Sequence, residues 1–140
     1  MATTFHADVV SAEGEIYSGD VEMLVAPAEY GEVGILPRHT PFISFIKPGE
    51  IRLKMEDEED WEYVYVSGGM IEVQPYVTTV LADTAIRAKD LDEAAALEAK
   101  ARAEEALVNK RADFDYARAQ SELAEAVAQL RIIQKLRKSV

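Results

Sequence analysis

The chain has two histidines, His6 and His39, and no cysteine among its 140 residues. Thiol nucleophiles, disulfides and zinc–thiolate sites are therefore excluded, and isolated imidazoles leave little material for a metal centre or an acid–base pair. His39 stands in Pro37-Arg38-His39-Thr40-Pro41 without an evident carboxylate partner, which reads as a histidine that orders a turn or touches a partner. His6 and Asp8 alternate on one strand face, so an exposed cross-strand pairing is expected there rather than metal ligation. Ser67-Gly68-Gly69 lacks the G-x-S-x-G pattern of a nucleophile elbow and no phosphate-loop lysine follows, so it reads as a hairpin turn. The acidic run Glu56 to Asp60 lacks the alternating ligands and central glycine of a calcium loop and reads as a solvated connection. Arg131, Lys135, Arg137 and Lys138 form a basic cluster near the C-terminus whose fitting partner is an acidic protein surface, or which simply caps its helix.

The elements that carry these residues fall into two parts. All seven glycines and all five prolines lie between Gly14 and Pro75, and none follows. Residues 1–84 hold four basic and 16 acidic side chains, whereas 85–140 hold 11 and 10. In the first part, turn signals at Glu13-Gly14, Ser18-Gly19, Tyr30-Gly31, Pro48-Gly49, Ser67-Gly68-Gly69 and Pro75-Tyr76 separate short apolar runs. Ile51 to Met55 alternates strictly, and Trp61, Tyr63 and Tyr65 share one face of a half-buried strand. Eight or nine strands with no room for crossover helices predict an antiparallel β-sandwich or flattened barrel over 1–86.

The second part, 87–140, predicts an antiparallel two-helix hairpin, making the whole an α+β chain. Asp90-Leu-Asp-Glu93 resembles a capping box opening the first helix, which stops near Asn109 to Ala112; Asp113 is placed to cap the second. Tyr116, Ala119, Leu123, Ala126, Leu130 and Ile133 recur at spacings of three and four as an apolar seam. Two helices bury little alone, so the hairpin is a candidate moving part.

A formal charge of -11 disfavours a generic nucleic-acid grip. No apolar stretch approaches the roughly 18 residues of a membrane span, and no secretory or transit pattern opens the chain, so any membrane role is expected to be peripheral. An acidic sandwich with a separable hairpin and no catalytic set describes an interaction module. A free-standing adaptor with a helical grip, or a hydrolase built on two sandwich carboxylates, would share this composition.

Four segments sharpen the reading: Ser11-Ala-Glu-Gly-Glu-Ile-Tyr-Ser-Gly19, Gly31-Glu-Val-Gly-Ile-Leu-Pro-Arg-His-Thr-Pro41, Val66-Ser-Gly-Gly-Met-Ile-Glu-Val-Gln-Pro75 and Val80-Leu-Ala-Asp-Thr-Ala85. Together with the alanine-rich hairpin they resemble the epsilon subunit of bacterial F-type ATP synthase over nearly the whole chain. The resemblance implies a non-catalytic rotor subunit of the central stalk that couples proton-driven rotation to ATP synthesis. Its sandwich would sit against the gamma subunit and the c-subunit ring, peripheral to the cytoplasmic face of the bacterial inner membrane.

It also implies that the hairpin restrains ATP hydrolysis by reaching the alpha and beta subunits of the catalytic head, with Arg131, Lys135, Arg137 and Lys138 as contacts. The family's ring-contact loop falls on Glu29 to Pro41, which carries Glu32 and His39 over as ring contacts. Family members that bind ATP do so through Ile/Leu-Asp-x-x-Arg-Ala. Here Leu91-Asp92-Glu93-Ala94-Ala95-Ala96 has Ala95 at the arginine position and Gln129 where a second arginine is expected, so no cofactor is expected.

Overall fold

The computed structural model describes residues 3–56, 58–109 and 113–138. Nine strands come first: β1 (Phe5–Ser11), β2 (Gly14–Ala28), β3 (Gly31–Ile35), β4 (Phe42–Ile46), β5 (Gly49–Met55), β6 (Trp61–Val66), β7 (Gly69–Val73), β8 (Val77–Ala82) and β9 (Ala85–Arg87). A 3-10 turn over Ala88–Asp90 then leads to α1 (Glu93–Asn109) and α2 (Asp113–Lys138). The connection between the helices, and Asp113 as a cap for the second, lie outside the described residues and side chains.

Alternation builds the sandwich. In β1 the side chains of Phe5, Ala7 and Val9 point inward while His6, Asp8 and Val10 point out; Ile51 and Leu53 of β5 do the same between Arg52 and Lys54. The inward set, joined by Val21, Leu24, Ile35, Ile71 and Val80, forms one core cluster. The strand order is β1-β8-β7-β4-β2-β5-β6-β9, with β3 on β2 and a further β1–β2 pairing. β2 is long enough to serve both layers: its first half pairs with β1, its second with β5 and β3, and a register shift between Val21 and Met23 marks the bend. Ser18-Gly19, expected as a turn, lies inside this strand, where the glycine leaves room for the Tyr17 hydroxyl. One pairing departs from the antiparallel expectation. β1 and β8 run parallel, which the chain can arrange because the six intervening strands make the long crossover that a parallel pair needs.

Tyr65 does not share the half-buried state of Trp61 and Tyr63. It is 1% exposed, between Val64 and Val66, so β6 is covered on both faces at its C-terminal end. The Ser67-Gly68-Gly69 segment is also not a hairpin turn, since β6 pairs with β5 and β9 whereas β7 pairs with β4 and β8. It is a corner that carries the chain from one layer to the other. Its partner is the β8–β9 corner: Ser67 N–H donates to the Thr84 carbonyl at 3.0 Å and Asp83 N–H to the Gly68 carbonyl at 2.9 Å. Gly68 and Gly69 have φ of 126° and 140°, values that L side chains rarely adopt.

The chain divides into compact units 1–88 and 89–140. The expected 86/87 division would cut β9, whose Arg87 belongs to the first unit: its guanidinium donates to Glu62 Oε1 at 2.5 Å and to the Ile16 carbonyl at 2.9 Å. In the second unit the cap of α1 is Asp92 rather than Asp90. The Ala95 N–H donates to Asp92 Oδ1 at 3.2 Å, and the 3-10 turn places Asp90 before the helix. The expected seam of α2 is partly displaced: Ala119 and Ala126 are buried, Leu123, Leu130 and Ile133 only half-buried, and Tyr116 is exposed. Ala128 and Ile132 are buried instead.

Candidate functional site

The outward face of β1, β8, β7 and β4 holds large apolar side chains where water would favour polar ones. Phe45 of β4 stands opposite Met70 of β7, Met70 opposite Leu81 of β8, and Leu81 opposite Val10 of β1, so the registers set these four in one row across the layer. Phe45, Met70 and Leu81 are 61%, 36% and 55% exposed, and Ile43 beside them is 62% exposed. The next row, Asp8, Thr79, Glu72 and Ile43, is mostly polar and borders the apolar one. A contiguous apolar row rimmed by polar groups is the signature of a protein interface. In sequence terms the signal was present at Phe42-Ile-Ser-Phe-Ile46, which puts apolar residues on both faces of one strand although only one face can point into the core.

The row runs into a groove of about 470 Å³ lined by Tyr30, Glu32, Val33, Ile43, Phe45 and Met70 among others. The β2–β3 hairpin forms one wall: Ala28 and Gly31 close a two-residue turn, and Gly31 takes φ 134°. Glu32 thus lines the groove. Its carboxylate is already engaged, because Arg52 Nη2 lies 3.1 Å from both of its oxygens. His39 does not line the groove. It sits half-buried in the loop before β4, where Nδ1–H donates to the Thr40 carbonyl at 2.7 Å and its ring meets Phe42 edge-on at 6.4 Å. The same loop is tied down by the Arg38 N–H on the Pro75 carbonyl at 2.9 Å, with Arg38 itself at φ 63°.

His6 lies among Asp8, Asp20 and Ser18. Nε2 is 3.0 Å from Asp8 Oδ1 and 3.1 Å from Ser18 Oγ, and Nδ1 is 3.3 Å from Asp20 Oδ1. Burial pulls its pKa down, but hydrogen bonds and charge from Asp20 and Asp8 outweigh this and leave it raised, favouring the imidazolium. The set has the residue types of a hydrolytic triad without its wiring, because the Ser18 hydroxyl donates to Asp8 at 2.6 Å instead of presenting its proton to the imidazole. Among the described residues no three His, Asp or Glu side chains converge as metal ligands.

The basic cluster of α2 is not one surface. Arg131, Lys135 and Lys138 follow one another at spacings of four and three and share a face, whereas Arg137 lies about 100° round the helix from Lys138 and about 160° from Lys135. Arg137 instead reaches α1, where its guanidinium forks onto the Glu93 carboxylate, one bond being 3.2 Å from Nη1 to Oε1. A groove of about 290 Å³ between the helices is lined by Ala99, Arg102, Glu122, Glu125, Ala126 and Gln129. Two carboxylates and one guanidinium line it, and Glu122 accepts a hydrogen bond from Arg118 Nε at 3.0 Å. Asp92, the acid of the Leu-Asp-x-x motif, is occupied in capping. No helix among the described residues is long and apolar enough to cross a membrane.

Comparison with known proteins identifies both units. Residues 4–88 match the family model for the ATP synthase delta/epsilon chain β-sandwich domain, and residues 89–134 match that for its long α-helix domain. An ATP synthase epsilon chain from Thioalkalivibrio sulfidiphilus is 64% identical over 138 residues, covering 99% of this chain and 98% of the relative. One from Nitrosococcus oceani is 64% identical over 140 residues, covering 100% and 99%. Among solved structures, a chain in the Euglena gracilis mitochondrial ATP synthase OSCP/F1/c-ring assembly superposes with a TM-score of 0.81 at 15% identity, covering 91% of this chain and 80% of that one, a likeness of fold.

Proposed function

The chain belongs to the ATP synthase delta/epsilon chain family, and on that premise we propose that it works as a non-catalytic subunit of the rotor in the central stalk of an F-type synthase. The sandwich is the fixed part and the helical hairpin the regulatory part. The gamma subunit covers the apolar row Val10, Leu81, Met70 and Phe45, and the β2–β3 hairpin with Glu32 and the His39 loop faces the ring of c subunits. The hairpin restrains ATP hydrolysis by setting its basic stripe against acidic surface of the alpha and beta subunits. Such a subunit acts from the cytoplasmic face, held to the membrane only through its partners.

The observation that carries this reading is the exposed row. Three side chains as large as Phe, Met and Leu in cross-strand contact and still 61%, 36% and 55% exposed favour a covering surface, since burying such a side chain completely from water is worth roughly 1.5–3 kcal/mol and covering what remains open gains the corresponding part of it. Their contacts within the chain support unequal parts for the two loop residues. Glu32, with its charge balanced by Arg52, suits a neutral polar neighbour better than a cation. His39 is turned into its own loop and helps shape it.

Rebinding to synthase particles stripped of their own epsilon chain tests the reading. Leu81→Glu places a charge in the middle of the row without touching the core, and it is expected to weaken rebinding at least tenfold while leaving the thermal unfolding midpoint within a few degrees. Unchanged rebinding would move the interface to another face.

A further inference from the structure

We infer that the Glu93–Arg137 ion pair is a latch that holds the hairpin closed, so that Arg137 sets how readily the three other basic residues are carried to a partner. This rests on the reading of the hairpin as a brake. The geometry places the pair where a latch is effective: Glu93 is the first residue of α1 and Arg137 the penultimate residue of α2, so the contact joins the two ends that must separate for the helices to part. Among the described residues, every fully buried side chain of the two helices except Ile132 is an alanine, which contributes a single methyl group, while Leu123, Leu130 and Ile133 are only half-buried.

Charge at the site is consistent with this role. Glu93 is 35% exposed and Arg137 65%, so the pair is weak enough to break and to re-form. Each side chain also faces the helix end that suits its sign, the acid at an N-terminus and the base at a C-terminus. Arg131, Lys135 and Lys138 lie on another face of α2 from Arg137, so Glu93→Gln leaves their charges in place. The latch and the stripe are thus separable by mutation.

The chain has no cysteine, so thiols introduced at Glu98 and Gln134, both exposed, carry the only two spin labels in the full-length protein. Distances between them report the closed fraction directly. Glu93→Gln and Arg137→Gln are each expected to raise the ratio of open to closed hairpin by about two- to fivefold, and Glu93→Arg with Arg137→Glu to recover part of the closed population. In the assembled synthase Glu93→Gln should deepen inhibition of hydrolysis by a similar factor, because it frees the hairpin and leaves the stripe intact. Unchanged distances in both single variants overturn the latch. Opening without deeper inhibition overturns its regulatory role, and a chain ending at Ala88 then separates the causes: if that truncation releases hydrolysis the brake stands and the latch alone fails, and if it does not the brake itself is absent.

Discussion

Gly69→Ala is expected to be the most damaging single-methyl change in the sandwich. A Cβ at this position would collide with the Leu81 carbonyl oxygen and lie 2.9 Å from the Ala82 Cα, both backbone atoms of the neighbouring strand β8. Neither can swing aside, because β8 is pinned between β1 and β7. The backbone is also at φ 140°, where alanine is strained in any surroundings. Gly14 offers the control: its φ is 134°, yet nothing lies within 4 Å of a built Cβ. Gly14→Ala should therefore cost about 1–3 kcal/mol for strain alone, and Gly69→Ala about 4 kcal/mol or more, a large share of the roughly 5–15 kcal/mol that holds a domain together. Urea denaturation of both variants measures the difference. Equal losses would mean that β7 and β8 separate easily, contrary to the packing of the corner.

That corner also shows what the sequence made legible and what it did not. Turn signals and alternation were enough for the layers, because Gly, Pro and period-two apolar residues act locally. They could not say which strands pair. Ser67-Gly68-Gly69 satisfies the chemistry of a hairpin turn, but its glycines are required by a close approach to β8 and by hydrogen bonds to Asp83 and Thr84, which lie far along the chain. Val66 to Pro75 and Val80 to Ala85 carry the two corners that this long-range tie joins.

Side-chain roles followed the same division. His6 beside Asp8 could be read from strand alternation, whereas Asp20 and Ser18 enter from β2 through register. Glu32 could be placed on a loop, but not against Arg52, which reaches it from β5 on the far side of β2. In the helices, the four basic residues looked like one cluster because they crowd within eight positions. Helical geometry and the Glu93 partner divide them into a stripe of three and a clasp.

Ending the chain at Ala88 is expected to raise ATP hydrolysis by the assembled synthase while leaving assembly intact. The core cluster runs from Phe5 to Ala85 and contains no helical residue, and Arg87 with its bonds to Glu62 and Ile16 is retained, so the sandwich keeps its own packing. A cut before Arg87 would discard those bonds and confuse loss of the brake with loss of stability. The expected rise is about threefold to thirtyfold, equivalent to roughly 0.6–2 kcal/mol of restraint, since three exposed ion pairs contribute about 0–1 kcal/mol each. Changing Arg131, Lys135 and Lys138 together to alanine should reproduce much of it, and added salt should mimic it in the intact chain. A truncation that activates where the triple variant does not would place the restraint in the half-buried Leu123, Leu130 and Ile133 instead of in charge.

Affinity purification of the tagged full-length chain from its native membranes, solubilised in mild detergent, tests most directly the claim that it is a rotor subunit held by its sandwich. The expected result is recovery of the alpha, beta, gamma and c subunits together with the wild-type chain and with the chain ending at Ala88, and their loss with Leu81→Glu. Recovery of the wild-type chain without gamma and the c ring would contradict the account.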